Sequence, residues 1–157
     1  MHPTADIYRL ILTRTAARYL TVRPHGLQTT PGHLPLPRLQ VQILDHGPAR
    51  TLYRERKPVC RSLDGIAAVR NPERRCNPCP DRDSCTPQVR VDLVFDCLPY
   101  RLLLAHTSAQ NFLLYHTDLV KQGRSPSDLI TQVRVLNRGT WGELRFSAAA
   151  PDTESAK

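Results

Sequence analysis

Cys60, Cys76, Cys79 and Cys85 stand in the run KPVCRSLDGIAAVRNPERRCNPCPDRDSCTP, a Cys-x2-Cys step with one cysteine upstream and one downstream. Two thiolates separated by two residues reach one ion from a single tight turn, and zinc takes four such ligands in a tetrahedron. Pro78 and Pro80 bracket Cys79 and stiffen that turn, so less chain entropy is lost when an ion binds. The spacing predicts a structural Zn2+ knuckle, inserted over residues 58–88, with those four cysteines as ligands. Two disulfides would need an oxidising compartment, and MHPTADIYRL has neither the basic start nor the apolar middle of an export signal. A redox Cys-x-x-Cys usually opens a helix, whereas Pro80 and a polar DRDS stretch follow here. An iron–sulfur cluster on the same thiolates stays open as an alternative.

Catalysis finds little support. No Ser/His/Asp order, useful carboxylate pair, phosphate loop or metalloprotease helix appears, so the chain is not expected to be an enzyme. Ser62 and Asp64 lie beside a ligand cysteine and read as turn and supporting groups, with Asp64-Gly65 a turn signal. The fifth cysteine, Cys97, sits in an apolar run and reads as core filler. His106 and His116 lack ligand spacing to the cluster.

The chain has 157 residues, enough for one domain with a usable core, and 40% of them are hydrophobic. No run is long enough to span a bilayer, so a soluble, cytoplasmic protein with no membrane partner is expected. Lys and Arg number 22 against 14 Asp and Glu, a net charge of +8. The excess is mostly arginine, whose forked guanidinium matches phosphate oxygens. It clusters before and inside the knuckle: Arg50, Arg54, Arg56, Lys57, Arg61, Arg70, Arg74 and Arg75 oppose only Glu55, Asp64 and Glu73. A rigid metal loop studded with arginines suits a phosphate backbone, with affinity falling steeply as salt rises. A basic docking face for an acidic protein is the alternative.

The elements that must carry these residues read as mainly β. Ile7 to Thr13 and Arg18 to Arg23 suggest a short hairpin, and Pro24 to Pro37 an irregular loop. LQVQIL (39–44) alternates, with Leu39, Val41 and Ile43 facing inward. HGPA is expected to turn the chain into a second strand, ARTLYRERK, and VRVDLVF (89–95) follows the knuckle. Leu98-Pro99 then bends the chain before Tyr100 to Ala105. TSAQNFLLYHTDLVKQG reads as one helix, capped by Thr107 or Ser108 and by Gly123, with Phe112, Tyr115 or His116, and Leu119 inward. ITQVRVL (130–136) and WGELRFS (141–147) form a closing hairpin around Asn137-Arg138-Gly139. The domain spans 1–150 and PDTESAK (151–157) is a flexible tail. Strands, insertion, strand, helix and hairpin match the order of a five-stranded OB-like Greek-key barrel.

OB barrels bind single strands across a strand face with stacking aromatics and basic residues. Parity puts Leu144 and Phe146 inward and Trp141, Glu143 and Arg145 outward, while Arg134 and Gln132 face outward from the neighbouring strand. The candidate nucleic-acid contacts are therefore Arg50, Tyr53, Arg54, Arg56, Lys57, Arg61, Arg74, Arg75, Arg134, Trp141 and Arg145. Aromatic residues make up only 6%, which leaves electrostatics to carry the affinity and weakens sequence preference.

The pattern C-R-S-x-D-G, then C-x-x-C and a further Cys, then PYRLLLAHTSAQNF and G-x-W-x-x-L-x-F, resembles small single-stranded-DNA-binding proteins of phages and mobile elements. The likeness runs over residues 36–146. It implies an OB-type fold, a structural zinc on Cys60, Cys76, Cys79 and Cys85, and coating of single-stranded DNA during replication or recombination. Partners would be single-stranded DNA or RNA, and proteins of a replication or effector complex. The tail holds only Asp152 and Glu154, unlike the acidic tails by which replicative single-strand binders recruit partners.

Overall fold

The structure, a computed structural model, describes Ile7 and residues 18–29 and 33–150. Of the expected N-terminal hairpin, residues 8–13 fall outside those residues, whereas Thr21–Arg23 pairs instead with Gly26–Gln28, within the stretch expected to be an irregular loop; the expected tail (151–157) falls outside them altogether.

A 17-residue strand is the spine of the protein. β3 (Arg38–Arg54) follows a small hairpin of β1 (Thr21–Arg23) and β2 (Gly26–Gln28), and precedes β4 (Lys57–Ser62). After the cysteine loop come β5 (Thr86–Phe95), β6 (Leu98–Ala105), helix α1 (His106–Lys121), β7 (Thr131–Asn137) and β8 (Gly142–Ala148). The main sheet runs β6-β5-β3-β7-β8, every ladder antiparallel, with β4 hydrogen-bonded to the far end of β3. β3 pairs with β7 through residues 38–41, with β5 through 42–51 and with β4 through 50–54. A register shift between Ile43 and Asp45 leaves Leu44 as an extra residue, and both Ile43 and Leu44 are buried. Such a bulge bends and twists a strand, letting one strand serve two half-sheets.

The alternation read in residues 39–43 holds: Leu39, Val41 and Ile43 join Val91, Leu93, Leu102, Leu104, Val133 and Leu144 in one core. HGPA does not turn. His46, Gly47, Pro48 and Ala49 pair in register with Val91, Arg90, Val89 and Gln88, so the two expected strands are one. Residues 42–49 of β3 have β5 on one side and no described strand on the other, the edge setting in which proline is tolerated. The turn comes later, at Glu55-Arg56, both at positive φ. Asp96-Cys97 makes a second turn of this kind, joining β5 to β6. Cys97 is therefore exposed, not core filler: both central residues of such a tight turn point outward.

The sheet does not close into the expected barrel, because no ladder among the described residues joins β6 to β8. Two other pieces occupy the seam. Leu20 donates its N–H to Arg101 O at 3.0 Å, and Arg101 N–H reaches Arg18 O at 2.8 Å, so the chain before β1 lies parallel to β6. The β1–β2 hairpin then crosses to the far side, where a Cβ on Gly142 would meet Arg23 O at 2.4 Å. Only glycine lets those two backbones approach so closely. From the other side, α1 offers side chains to the edge of β8: Ser108 Oγ accepts Leu144 N–H at 3.0 Å, and Asn111 Nδ2 donates to Leu144 O at 2.9 Å. Ser108 is thus engaged by β8 and does not cap the helix, whose N-cap position is Ala105. At the other end Gly123 (φ 68) ends the helix, with Arg124 N–H on Leu119 O and Gly123 N–H on Val120 O. Phe112 and Leu119 are buried as expected.

Candidate metal centre and basic surface

Cys60 comes from β4, Cys76 and Cys79 from the loop, and Cys85 from the end of a short 310 turn (Arg82–Ser84) that leads into β5. The loop folds on itself. Asp64 accepts Ile66 N–H at 2.7 Å, Ala67 N–H at 3.1 Å and Ser62 Oγ–H at 3.0 Å, and those backbone bonds hold its carboxyl below the usual range. Val69 N–H bonds Arg61 O, Ala68 N–H bonds Arg74 O and Cys76 N–H bonds Ile66 O, laying residues 66–69 beside 74–76. This turn chemistry carries the distant Cys76 and Cys79 back to Cys60 and Cys85.

All four thiols line one small cavity of about 20 Å³, with Leu52, Ala68 and the arginines Arg50, Arg74, Arg75 and Arg82 around it. That volume holds about one water molecule. Among the described residues no three His, Cys, Asp or Glu side chains stand in ligand geometry; the cysteines share a cavity without sharing a coordination point. Burial pushes the Cys85 thiol up, against the opposing charge of Arg50. Cys79 is pulled down, first by the Asp81 backbone N–H and then by Arg74, whose Nη2 lies 3.7 Å from its sulfur. Metal ligation needs thiolates, and a cationic rim favours them. Donor type and number are those a structural zinc ion takes, although the thiols as placed do not form a ligand set.

The expected contacts divide sharply. Several are engaged inside the loop: Arg50 Nη2 donates to Arg82 O at 3.2 Å, its Nε buried without a partner, and Arg82 Nη1 donates to Cys76 O at 3.2 Å. Asp81 takes Arg74 at 2.7 Å and Arg54 at 3.5 Å. The Arg61 guanidinium lies 5.0 Å over the Tyr19 ring. Arg56 sits in the β3–β4 turn and not within the strand expected over ARTLYRERK, and Lys57 and Arg75 are exposed. Tyr53 and Trp141 are exposed aromatics at 41% and 46%. Trp141 lines a groove at the β6–β8 seam with Arg23, Leu103, His106 and Thr107. Arg134 and Arg145 lie far along the sheet, directly opposite each other.

Sequence reasoning missed two features. Arg38 was a readable signal, since it shares the outward parity of Gln40, but it fell at the boundary of a proline-rich loop. The second feature, the triad Arg90–Asp92–Arg101 on the outer face of β3–β5–β6, depends on strand pairing. Asp92 bonds Arg90 and takes Arg101 Nε at 2.8 Å, while Arg90 Nε reaches Leu63 O at 2.9 Å. A cavity of about 510 Å³ lies between that face and loop residues Leu63–Pro72. No protein-family model, curated protein or solved structure matches this chain. No described helix is long and apolar enough to cross a membrane.

Proposed function

We propose that the chain is a zinc-stabilised binder of single-stranded nucleic acid, most simply single-stranded DNA, with little sequence preference and no enzymatic activity of its own. The carrying observation is the convergence of four thiols on one ion-sized cavity rimmed by arginines, in a chain of net charge +8. Cys60, Cys76, Cys79 and Cys85 would hold Zn2+, whose role is to fix the loop. The sheet order supports an OB-like reading: with β4 set aside as part of the cysteine insertion, β3, β5, β6, β7 and β8 lie in the order 3-2-1-4-5, and α1 falls between the third and fourth of them. By its likeness to small phage and mobile-element proteins, the role would lie in replication or recombination, in the cytoplasm.

The exposed Val59, Ile66 and Val69, all more than half accessible on the cysteine loop, favour a second reading as a docking subunit of a nucleoprotein complex. Metal analysis of the purified protein, with titration of labelled oligo-dT at two salt concentrations, separates the two. About one zinc per chain and salt-sensitive binding are expected. Trp141→Ala should weaken binding by about 1–3 kcal/mol if the ring stacks on a base. A metal-free folded protein, or no binding at low salt, would defeat the proposal.

A further inference from the structure

The sheet lays three arginines in one row across three strands. Arg38 of β3 is opposite Arg134 of β7, and Arg134 is opposite Arg145 of β8. All three side chains are on the solvent face and exposed. Like charges directly opposite each other weaken a sheet, so the row opposes folding stability in this place. Its charge is also poorly neutralised. Arg145 Nε leans on Glu143 Oε2 at 3.0 Å, an acceptor already shared with Arg138. Neither Arg38 nor Arg134 has a carboxylate partner among the described residues.

The other outer face differs. On β3–β5–β6, Arg90 and Arg101 are both engaged by Asp92, Arg90 also reaches Asp45 and Leu63 O, and the cysteine loop lies over them. The basic surface left available on the sheet is therefore the β3–β7–β8 face.

We propose that Arg38, Arg134 and Arg145 form a second, sheet-borne grip for the sugar–phosphate backbone of single-stranded nucleic acid. This rests on the nucleic-acid reading above and adds a contact surface remote from the cysteine loop. Opposed residues in antiparallel strands lie about 5 Å apart, so the row presents three guanidinium forks within about 10 Å. The adjacent row, Gln40, Gln132 and Ser147, adds neutral hydrogen-bonding groups. Neither row contains an aromatic ring, so phosphates rather than bases are contacted, and base identity is not read here. Trp141 lies four residues before Arg145 along the chain, in the groove at the β6–β8 seam, and is not part of the row. Arg38 and Arg54 are the two ends of β3, separated by about 50 Å of strand contour that bends at the Leu44 bulge.

The test uses the full chain and fluorescein-labelled oligo-dT across a salt series. Arg38→Ala with Arg134→Ala should weaken binding and flatten the slope of log K against log salt by about 1.4, the loss of two phosphate contacts. The thermal midpoint should stay level or rise, since opposed like charges are removed. Arg38→Lys with Arg134→Lys should keep most of the slope. An unchanged slope with binding intact overturns the row alone, leaving the cysteine loop as the grip. A lowered midpoint with unchanged slope overturns it in favour of a structural role. Equal binding of poly-glutamate, lost in the same alanine variant, overturns nucleic acid as the occupant. Failure of the unmodified chain to bind oligo-dT at low salt defeats this proposal together with the function on which it rests.

Discussion

Replacing Asp92 by alanine would remove the carboxylate that pairs with both Arg90 and Arg101 on the outer face of β5–β6. The Asp92, Arg101 and Arg90 side chains are 7%, 11% and 15% exposed, so water does little to screen or replace the pairing. Breaking one partner out of a buried pair costs about 3–5 kcal/mol, because the remaining charge stays desolvated. For a chain of this length that corresponds to a fall in Tm of about 6–20 °C. A urea titration should show a lower midpoint with unchanged m, as both states keep their exposed area. The damage should spread to the cysteine loop, because Asp92 orients Arg90 and Arg90 Nε holds Leu63 O at 2.9 Å. The zinc proposed for this loop should therefore pass faster to a chelator in the same variant. Asp92→Leu combined with Arg90→Met and Arg101→Leu should recover much of the stability, since an apolar replacement leaves no orphaned charge. A loss below about 1 kcal/mol for Asp92→Ala would refute the burial argument.

Two further outcomes test the fold. Gly142→Ala drives a Cβ to 2.4 Å from Arg23 O and 2.9 Å from Val135 Cγ1, so a loss of about 1–3 kcal/mol is expected, with faster hydrogen exchange at Leu20; an unchanged melt would show that the hairpin does not seal the seam. His46 lies 4.3 Å from the His116 ring, and burial, then His116, push its pKa below the ordinary 6.5. Because the fold favours neutral His46, its penalty is absent above about pH 6.5, grows as pH falls from there towards the lowered value, and levels off below it. Melts at pH 7.5 and 5 should show this dependence shrink in His46→Gln, and an undiminished dependence would place the acid sensitivity elsewhere.

How far the sequence could be read depended on how local each signal was. Alternation placed Leu39, Val41, Ile43, Val133, Val135 and Leu144 in the core, because a strand that buries one face shows a two-residue period whatever its partners. Gly123 ended the helix as expected, for a left-handed C-cap is settled within one turn. HGPA misled because glycine and proline usually mark turns, whereas here pairing with β5 keeps them extended. Cys97 misled in the opposite sense, since Asp-Cys is an unusual pair for a tight turn and its apolar flanks suggested burial. Ser108 had the chemistry of a cap, but the edge of β8 claimed its hydroxyl.

The sequence by itself determined that this is a mainly β chain with an amphipathic helix over residues 107–123, four cysteines in metal-ligand spacing and a surplus of arginine around them. Those are properties of residue type and short-range order, and they survive any arrangement of the strands. Tertiary structure alone decided which arginines remain available. Strand pairing set Asp92 between Arg90 and Arg101, and loop folding gave Asp81 to Arg54 and Arg74. Register then aligned Arg38, Arg134 and Arg145, residues far apart along the chain. The physical reason is that a charge acts through its neighbours in space, and those neighbours are chosen by long-range hydrogen bonding and burial.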